Sequence, residues 1–322
     1  MATAHPIPQA PPDPRPALAG APLPDRARAW LDDATTRIAA DPAAIRALFP
    51  AARRQCGHDR LTDHWHTDDA ARAALLTALP LRGAALADAV ADLYRHGDPA
   101  EQRAVLRALP LLEEVNTECA QWPPDAEQPY AAGDLDTTGI PAGSLAPAIP
   151  TPRRTPPPGV PGVRRTLFAS ASADRLGDLA LDLVREALRG NDNSVIEAAL
   201  GAYAAARLPD AEYRQAVLKC VFNDIPLERL YGLDARADRE LARMLADFAH
   251  ERIAAGRTVP ADVWPLVRAH TALAKSLAAR ARDLAGTRPE AASRALAALA
   301  ETDADGPAPA LPLGTTAPRR RS

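Results

Sequence analysis

Apolar residues recur every three or four positions along most of the chain, which is the spacing of one face of an α-helix. The clearest example is 238–256, whose predicted buried stripe consists of Leu241, Met244, Leu245 and Phe248. Gly256 follows the stripe and marks the end of this helix. No segment alternates β-branched and polar residues with a period of two, as a half-buried strand would. The pattern therefore predicts an all-α protein.

Two segments of the N-terminal half repeat each other. DDAARAALLTALPL at 68–81 aligns with DPAEQRAVLRALPL at 98–111, and a further predicted helix lies between them. In each copy we expect an aspartate to cap the helix start and a proline to stop the helix. These residues are Asp68 and Pro80 in the first copy and Asp98 and Pro110 in the second. Such repeated helix pairs are typical of an α-solenoid, so we expect a helical array of HEAT-like pairs.

Composition divides the chain into five parts. Residues 1–24 and 303–322 are rich in proline and polar or small residues, and we expect them to be disordered tails. Proline and glycine also dominate 123–163, which is predicted to be a linker or an insertion. Helical periodicity covers 25–122 and 164–302, so these segments are predicted to form an N-terminal and a C-terminal helical unit.

Charge and cysteine content narrow the class of protein. The net charge is -3 and the pI about 6.2, which argues against a general attraction to nucleic acid or to an anionic membrane. No apolar run is long enough to span a membrane, and the first residues lack the pattern of a signal peptide. The three cysteines form no CxxC pair, which favours a reducing compartment. We therefore expect a cytoplasmic protein without a membrane span.

One loop concentrates residue types that can bind metals. The segment CGHDRLTDHWHTDD at 56–69 includes His58, His64 and His66. It contains neither an HExxH motif nor a CxxC pair, and no second ligand pair follows at a fixed distance. A polar loop between helices is therefore the preferred interpretation, and a metal site at the three histidines is the alternative. No cofactor is expected.

Two further candidates lie in the C-terminal half. Lys219 and Lys275 are the only lysines of the chain. Lys219 could form an exposed ion pair with Glu212 or Asp224, which would need no function. Alternatively, Lys219 could be functional, either by contacting an anion or as a desolvated amine nucleophile. His250 and Glu251 are helical neighbours that could be solvated, or could act as acid or base.

The order of these motifs resembles the EboA family. QAVLKCVF, then LERLYGLDARADRELARMLADFAHERIAAGRTVPADVW, and before both of them GNDNSVIEAAL, are similar to family segments over residues 188–264. The matching positions are Asn193, Lys219, Gly232, Asp234, Arg236, His250, Glu251 and Arg252. The resemblance implies a helical protein encoded beside enzymes that make or export secondary metabolites, and it implies no catalytic role for any residue.

The chain departs from the family pattern at two places. Arg214 stands where the family has an asparagine before the VLK helix, and the loop after the preceding helix is reduced to ARLPD at 206–210. If these positions belonged to a family site, that site would be altered in this chain.

Two hypotheses for the function remain open. The preferred one is a non-enzymatic scaffold or binding protein whose partners are enzymes of the same gene cluster or a small metabolite. The alternative is an enzyme that acts on a small anionic metabolite, with Lys219, Arg236 and Arg252 holding the anion and His250 as acid or base. The residues expected to bind a ligand are Asn193, Lys219, Asp234, Arg236 and Arg252.

Overall fold

The computed structural model describes residues 13–118, apart from Asp63, and residues 163–301. The C-terminal tail and the predicted linker, apart from its last residue Val163, therefore lie outside the described residues. The all-α class is confirmed, because the described residues form helices and turns and no strand. The solenoid-like repetition of helix pairs stays a prediction. No helix within the described ranges is long and apolar enough to cross a lipid bilayer.

The described residues form two compact units, which meet in sequence between Glu186 and Ala187. The N-terminal unit contains the following helices: α1 (Pro14–Gly20), α2 (Asp25–Ala40), α3 (Ile45–Cys56), α4 (Thr67–Thr77), α5 (Gly83–His96), α6 (Pro99–Glu118) and most of α7 (Val163–Arg189). The sequence placed α7 in the C-terminal unit instead. Two surface ion pairs join α7 to α5, namely Arg175 with Asp88 and Glu186 with Arg95.

Helix α1 lies inside the segment that the sequence predicted as a disordered tail. Asp13 caps this helix by accepting a hydrogen bond from the Arg15 amide. Leu18 is buried, and α1 packs against α4. A helix therefore occupies residues 14–20 of this segment, whereas residues 1–12 of the predicted tail lie outside the described residues.

Helix α4 is the centre of the N-terminal unit and packs against α1, α2, α3 and α6. Its apolar residues Leu75 and Leu76 are fully buried. Its first turn is buried as well, although it contains Thr67, Asp68 and Asp69. The start of α4 therefore places two carboxylates inside the protein, where each needs a partner.

The two repeat copies differ in structure at the predicted cap and stop. Asp98 caps α6 in a reciprocal arrangement with Glu101, in which each side chain accepts a hydrogen bond from the other residue's amide. Asp68, by contrast, lies inside the first turn of α4 and does not cap it. Pro80 follows the end of α4, but Pro110 lies inside α6, which continues to Glu118. Tertiary packing of the leucines around Pro110 outweighs the loss of one backbone hydrogen bond.

The C-terminal unit is built from shorter helices: α8 (Asn193–Ala199), α9 (Ala202–Arg207), α10 (Asp210–Phe222), α11 (Leu233–Arg236), α12 (Arg239–Ala254), α13 (Val263–Arg268), α14 (Thr271–Asp283) and α15 (Pro289–Ala300). Helix α12 contacts α10, α13, α14 and α15. Its predicted stripe is largely confirmed, since Leu241, Leu245 and Phe248 are buried. Gly256 adopts φ +72° after the helix, a conformation that favours glycine.

Candidate functional site

Lys219 binds backbone carbonyl groups at the end of another helix. Its Nζ lies 2.6 Å from the carbonyl oxygens of both Leu188 and Gly190, where α7 ends. A cation at this position satisfies carbonyls that have no partner within the helix and complements the helix dipole. The surface ion pair with Glu212 or Asp224 is therefore not the main contact of this lysine.

Arg236 is buried and its guanidinium is surrounded by acceptors. It donates to the carbonyls of Ala204 and Ala205 at 3.1 Å, and to that of Leu208 at 2.7 Å. It also donates to a carboxylate oxygen of Asp210 at 2.6 Å. These contacts join α11 to the end of α9, to the turn that follows it and to the start of α10. Arg236 therefore links three segments of the C-terminal unit.

Arg252 and Asn193 also contact backbone carbonyls. Arg252 Nε donates to the Thr258 carbonyl at 2.7 Å, and its guanidinium lies over the Phe248 ring. The Asn193 amide donates to the Asn223 carbonyl at 3.1 Å. Thus four of the five residues that the sequence predicted as ligand contacts bind the protein's own backbone.

At both places where the chain departs from the family pattern, the residues present contact other residues of the C-terminal unit. Arg214 makes a two-pronged contact with Asp238, with a shortest distance of 2.6 Å. Burial opposes ionisation of Asp238, but the hydrogen bond from Arg214 outweighs it and lowers the pKa of that carboxyl. Asp238 caps α12, so Arg214 fixes the start of this helix. Leu208 and Asp210, which lie in the shortened loop, provide two of the acceptors for Arg236.

His250 and Glu251 lie on α12 without forming a recognisable acid–base pair. His250 is half-buried, and its Nδ1 is buried without a hydrogen-bond partner. Glu251 is exposed. Neither residue lines the pocket described next, and neither does Lys219.

A pocket of about 390 Å³ contains Asp234, the remaining predicted ligand residue. We call it the Asp234 pocket. Its apolar walls consist of Leu227, Leu230, Leu233, Ala235, Pro265 and Leu266. Its other lining residues are Gly232, Glu228, Asp234 and Asp262.

Three local features of the chain shape this pocket. Pro226 precedes a short 3-10 turn, Leu227–Arg229, that forms one wall. Gly232 adopts φ +71° and begins α11, which brings Leu233 and Asp234 to the pocket. Asp262, which precedes α13, accepts a hydrogen bond from the Leu227 amide at 2.8 Å through its Oδ2. That bond joins two walls that lie 35 residues apart in the sequence.

The chemistry of the pocket is suited to binding. Leucine side chains can cover the apolar surface of a small molecule, and carboxylate oxygens can accept its hydrogen bonds. Glu228, Asp234 and Asp262 are the charged residues of the lining, and none of them forms an ion pair within residues 13–118 and 163–301. The pocket thus combines apolar walls with carboxylates that form no ion pair with another described residue.

The histidine loop lies in the N-terminal unit. His58 Nδ1 lies 2.6 Å from Oδ1 of Asp68, to which it donates when protonated at that nitrogen, and the His58 ring stacks on His66 with 4.4 Å between ring centroids. His64 is exposed in the same loop. Burial lowers the pKa of His66, and the neighbouring His58 lowers it further. Among the described residues, no three side chains of metal-binding type are arranged to hold an ion.

Beneath these histidines lies a network of buried charges that the sequence did not predict. Asp68 pairs with Arg72, and burial of Asp68 is outweighed by the His58 hydrogen bond and the arginine charges, so its pKa is lowered. Asp69 accepts hydrogen bonds from Arg103 and Arg107 of α6. The network attaches the histidine loop and the start of α4 to α6. No local pattern reveals its link to α6, because Arg103 and Asp69 are 34 residues apart.

The described residues form helices, and the Asp234 pocket has a volume typical of small-molecule pockets. Residues 174–268 match the model of the EboA family, whose description is metabolite traffic protein EboA. This match confirms the resemblance noted for residues 188–264. No curated protein and no solved structure matches the chain. All residues that line the Asp234 pocket lie inside the matched segment.

Proposed function

We propose that this chain is an accessory protein that binds a small metabolite without transforming it, and that the Asp234 pocket is the binding site. The proposal rests on one observation, which is that the lining of this pocket falls entirely within the EboA segment. A volume of about 390 Å³ falls within the range of pockets that bind small molecules. The description of the family as metabolite traffic proteins agrees with this role.

The context of the proposal comes from the family resemblance. Such proteins are encoded beside enzymes that make or export secondary metabolites, so the partners of this chain would be enzymes of the same cluster or their product. The cysteine content favours action in the cytoplasm. A binding protein could hold an intermediate between two enzymes and would need no catalytic residue of its own.

The alternative of an enzyme has less support from the geometry. It requires Lys219, Asp234 and His250 to line one cleft, but only Asp234 lines the pocket. The cations assigned to an anionic substrate donate instead to backbone carbonyls, as described above for Lys219 and Arg236. Binding without catalysis is therefore the function that the described residues support best.

Native mass spectrometry can test the proposal. The purified full chain would be mixed with a small-molecule extract of the producing organism and examined for a retained metabolite. Ala235 is exposed at the pocket, so Ala235→Trp should fill the pocket and abolish retention while preserving the helical circular dichroism. Ala255→Trp is the matched control, because Ala255 is also exposed but does not line the pocket. Absence of a retained metabolite, or retention by the Ala235→Trp variant, would refute the proposal.

A further inference from the structure

A second, smaller pocket lies between the turn that follows α12 and helix α15. Its volume is about 70 Å³, and it shares no lining residue with the Asp234 pocket. A water molecule takes about 30 Å³ of the liquid, so this volume holds one small chemical group and not a whole metabolite. We call it the Arg257 pocket, because Arg257 and Arg294 provide its charges.

The charge of this lining has one sign. Arg257 lies in the turn after α12 and Arg294 lies on α15, so two separate segments bring their guanidinium groups to one pocket. Both residues are exposed, and neither guanidinium forms an ion pair or a hydrogen bond with another described residue. Glu290 lies one turn before Arg294 on α15, but no ion pair joins them. Two positive charges therefore line one small volume, and no described carboxylate balances them.

Two neighbouring arginines hold the turn in place. Arg252 Nε donates to the Thr258 carbonyl at 2.7 Å, and Arg288 Nε donates to the Ala254 carbonyl at 3.0 Å. The Arg257 amide donates to the Arg252 carbonyl at 2.8 Å. The backbone of Arg257 and Thr258 is thus fixed before any ligand binds, which lowers the entropic cost of binding.

Trp264 provides an observation that is independent of the two charges. It lines the pocket and is only 8% exposed. Within the described ranges its indole N–H has no hydrogen-bond partner, and unlike Trp65 Nε1 it is not sealed from solvent. Polar groups of nearly buried side chains usually have a partner, so this donor is available to a ligand. Thr258, which also lines the pocket, adds a hydroxyl that can donate as well.

We infer that the Arg257 pocket binds the phosphate group of a phosphorylated small molecule, whose remaining part extends outside the pocket. A phosphate monoester carries a charge between about −1.5 and −2 at neutral pH and has three strong acceptor oxygens. It therefore balances two guanidinium groups, which bind phosphate in two-pronged contacts, and it has an oxygen left for Trp264 or Thr258. A carboxylate has one charge and two oxygens, so it would leave donors of this pocket unused. The inference concerns a second site and does not depend on the proposed function.

Two small probes, methyl phosphate and acetate, can test the inference because they differ in charge and in the number of acceptor oxygens. Binding to the full chain would be followed by NMR at constant ionic strength, with the indole N–H of Trp264 as the reporter. Trp264→Phe identifies this signal among those of the four tryptophans. We expect methyl phosphate to shift the signal with a dissociation constant at least about fivefold below that of acetate, since one further charge is neutralised.

Variants assign the binding to the pocket. Arg294→Gln should fold normally, because this guanidinium contacts no other described residue, and should weaken methyl phosphate binding at least about fivefold. Arg294→Lys should restore only part of the affinity, because an ammonium group cannot make a two-pronged contact. Arg282→Gln is the matched control, since Arg282 is an exposed arginine of the same unit outside the pocket and likewise lacks an ion pair among the described residues. This control should bind methyl phosphate as the wild type does.

Phosphate groups also occur on lipid headgroups, and a second measurement separates the two sources. The chain would be sedimented with phosphatidylcholine vesicles that contain or lack phosphatidic acid, and we expect it to stay in the supernatant with both. Sedimentation with phosphatidic acid that Arg294→Gln abolishes would overturn the assignment to a soluble molecule. Absence of a shift with methyl phosphate, equal binding of acetate, or an unchanged affinity of Arg294→Gln would overturn the phosphate site itself.

Discussion

The ammonium group of Lys219 lies 2.6 Å from the carbonyl oxygen of Gly190, across 29 residues of sequence. The same group binds the Leu188 carbonyl at the end of α7. One of the two lysines of the chain therefore closes a helix terminus. These two contacts give Lys219 a structural role.

Replacement of Lys219 by methionine should destabilise the C-terminal unit. The substitution leaves two carbonyls without their charged donor, which costs about 1–2 kcal/mol for a partly exposed group. Urea unfolding monitored by circular dichroism measures this loss. Lys275→Met is the matched control, because Lys275 is exposed and should change stability little. Equal stability of the two variants would contradict the helix-closing role.

Replacement of Arg236 should have a larger effect. Arg236→Lys keeps the charge but cannot reach four acceptors with one ammonium group, so we expect a loss of about 3 kcal/mol in the free energy of unfolding. Asp210→Asn keeps an acceptor oxygen and removes only the charge of this half-exposed partner, so it should cost about 1 kcal/mol or less. Arg239→Lys, at an exposed arginine of α12, serves as the control in the same denaturation series. Wild-type stability of Arg236→Lys would show that the buried guanidinium is dispensable.

His66 should make the stability of the N-terminal unit dependent on pH. Burial, His58 and the arginines Arg103 and Arg107 lower the pKa of His66 below 6.5, although Asp69 acts in the opposite direction. The unfolded chain then binds a proton at a higher pH than the folded chain, so stability should fall as the pH decreases below about 6.5. NMR titration of the ring should give the lowered pKa directly.

A pair of variants isolates this contribution. His66→Gln should reduce the loss of stability between neutral pH and about pH 5, since it removes the titrating group. His96→Gln should not, because His96 is largely exposed on α5. A His66 ring that titrates above 6.5 would reverse the sign of the prediction.

The two described cysteines should be unreactive in the folded protein. Burial, with the neighbouring Asp68 carboxylate, raises the pKa of Cys56 to about 11. Burial raises the pKa of Cys220 to about 12, with a smaller contribution from Glu197. Because the thiolate is the reactive form, iodoacetamide at pH 8 should label neither residue before unfolding.

Mass spectrometry in a Cys119→Ser background can count the labelled thiols. We expect no label in buffer and two labels in denaturant. Labelling of Cys56 at the rate of a free thiol would indicate that the loop between α3 and α4 opens in the native state.

Helical periodicity and the EboA-like segment could be predicted from the sequence because both depend on local order along the chain. The stripe of α12 follows from apolar residues three and four positions apart, which face one side of any helix. The capping aspartate of α6 follows from Asp98 and Glu101 in the same way. Identical local signals failed at Asp68 and Pro110, where burial and packing against other helices outweighed them.

The candidate site was only partly predictable. Asp234 was among the expected ligand residues and lines the pocket, but Asp262 and Glu228 were missed. Asp262 meets Leu227 through a hydrogen bond across 35 residues, and no spacing rule indicates such a pair. The predicted cations were equally misleading, because a sequence shows the charge of a side chain but not the carbonyl groups that will surround it.

The sequence by itself therefore determined the all-α class, the approximate helices and the EboA segment, since these depend on residues close together in the chain. Tertiary structure decided what the polar side chains do. It placed Arg236 on carbonyls 28 to 32 residues away and joined Asp262 to the Leu227 amide across 35 residues. The physical reason is that electrostatic partners are chosen by distance in space and by burial, and both arise only when the helices pack.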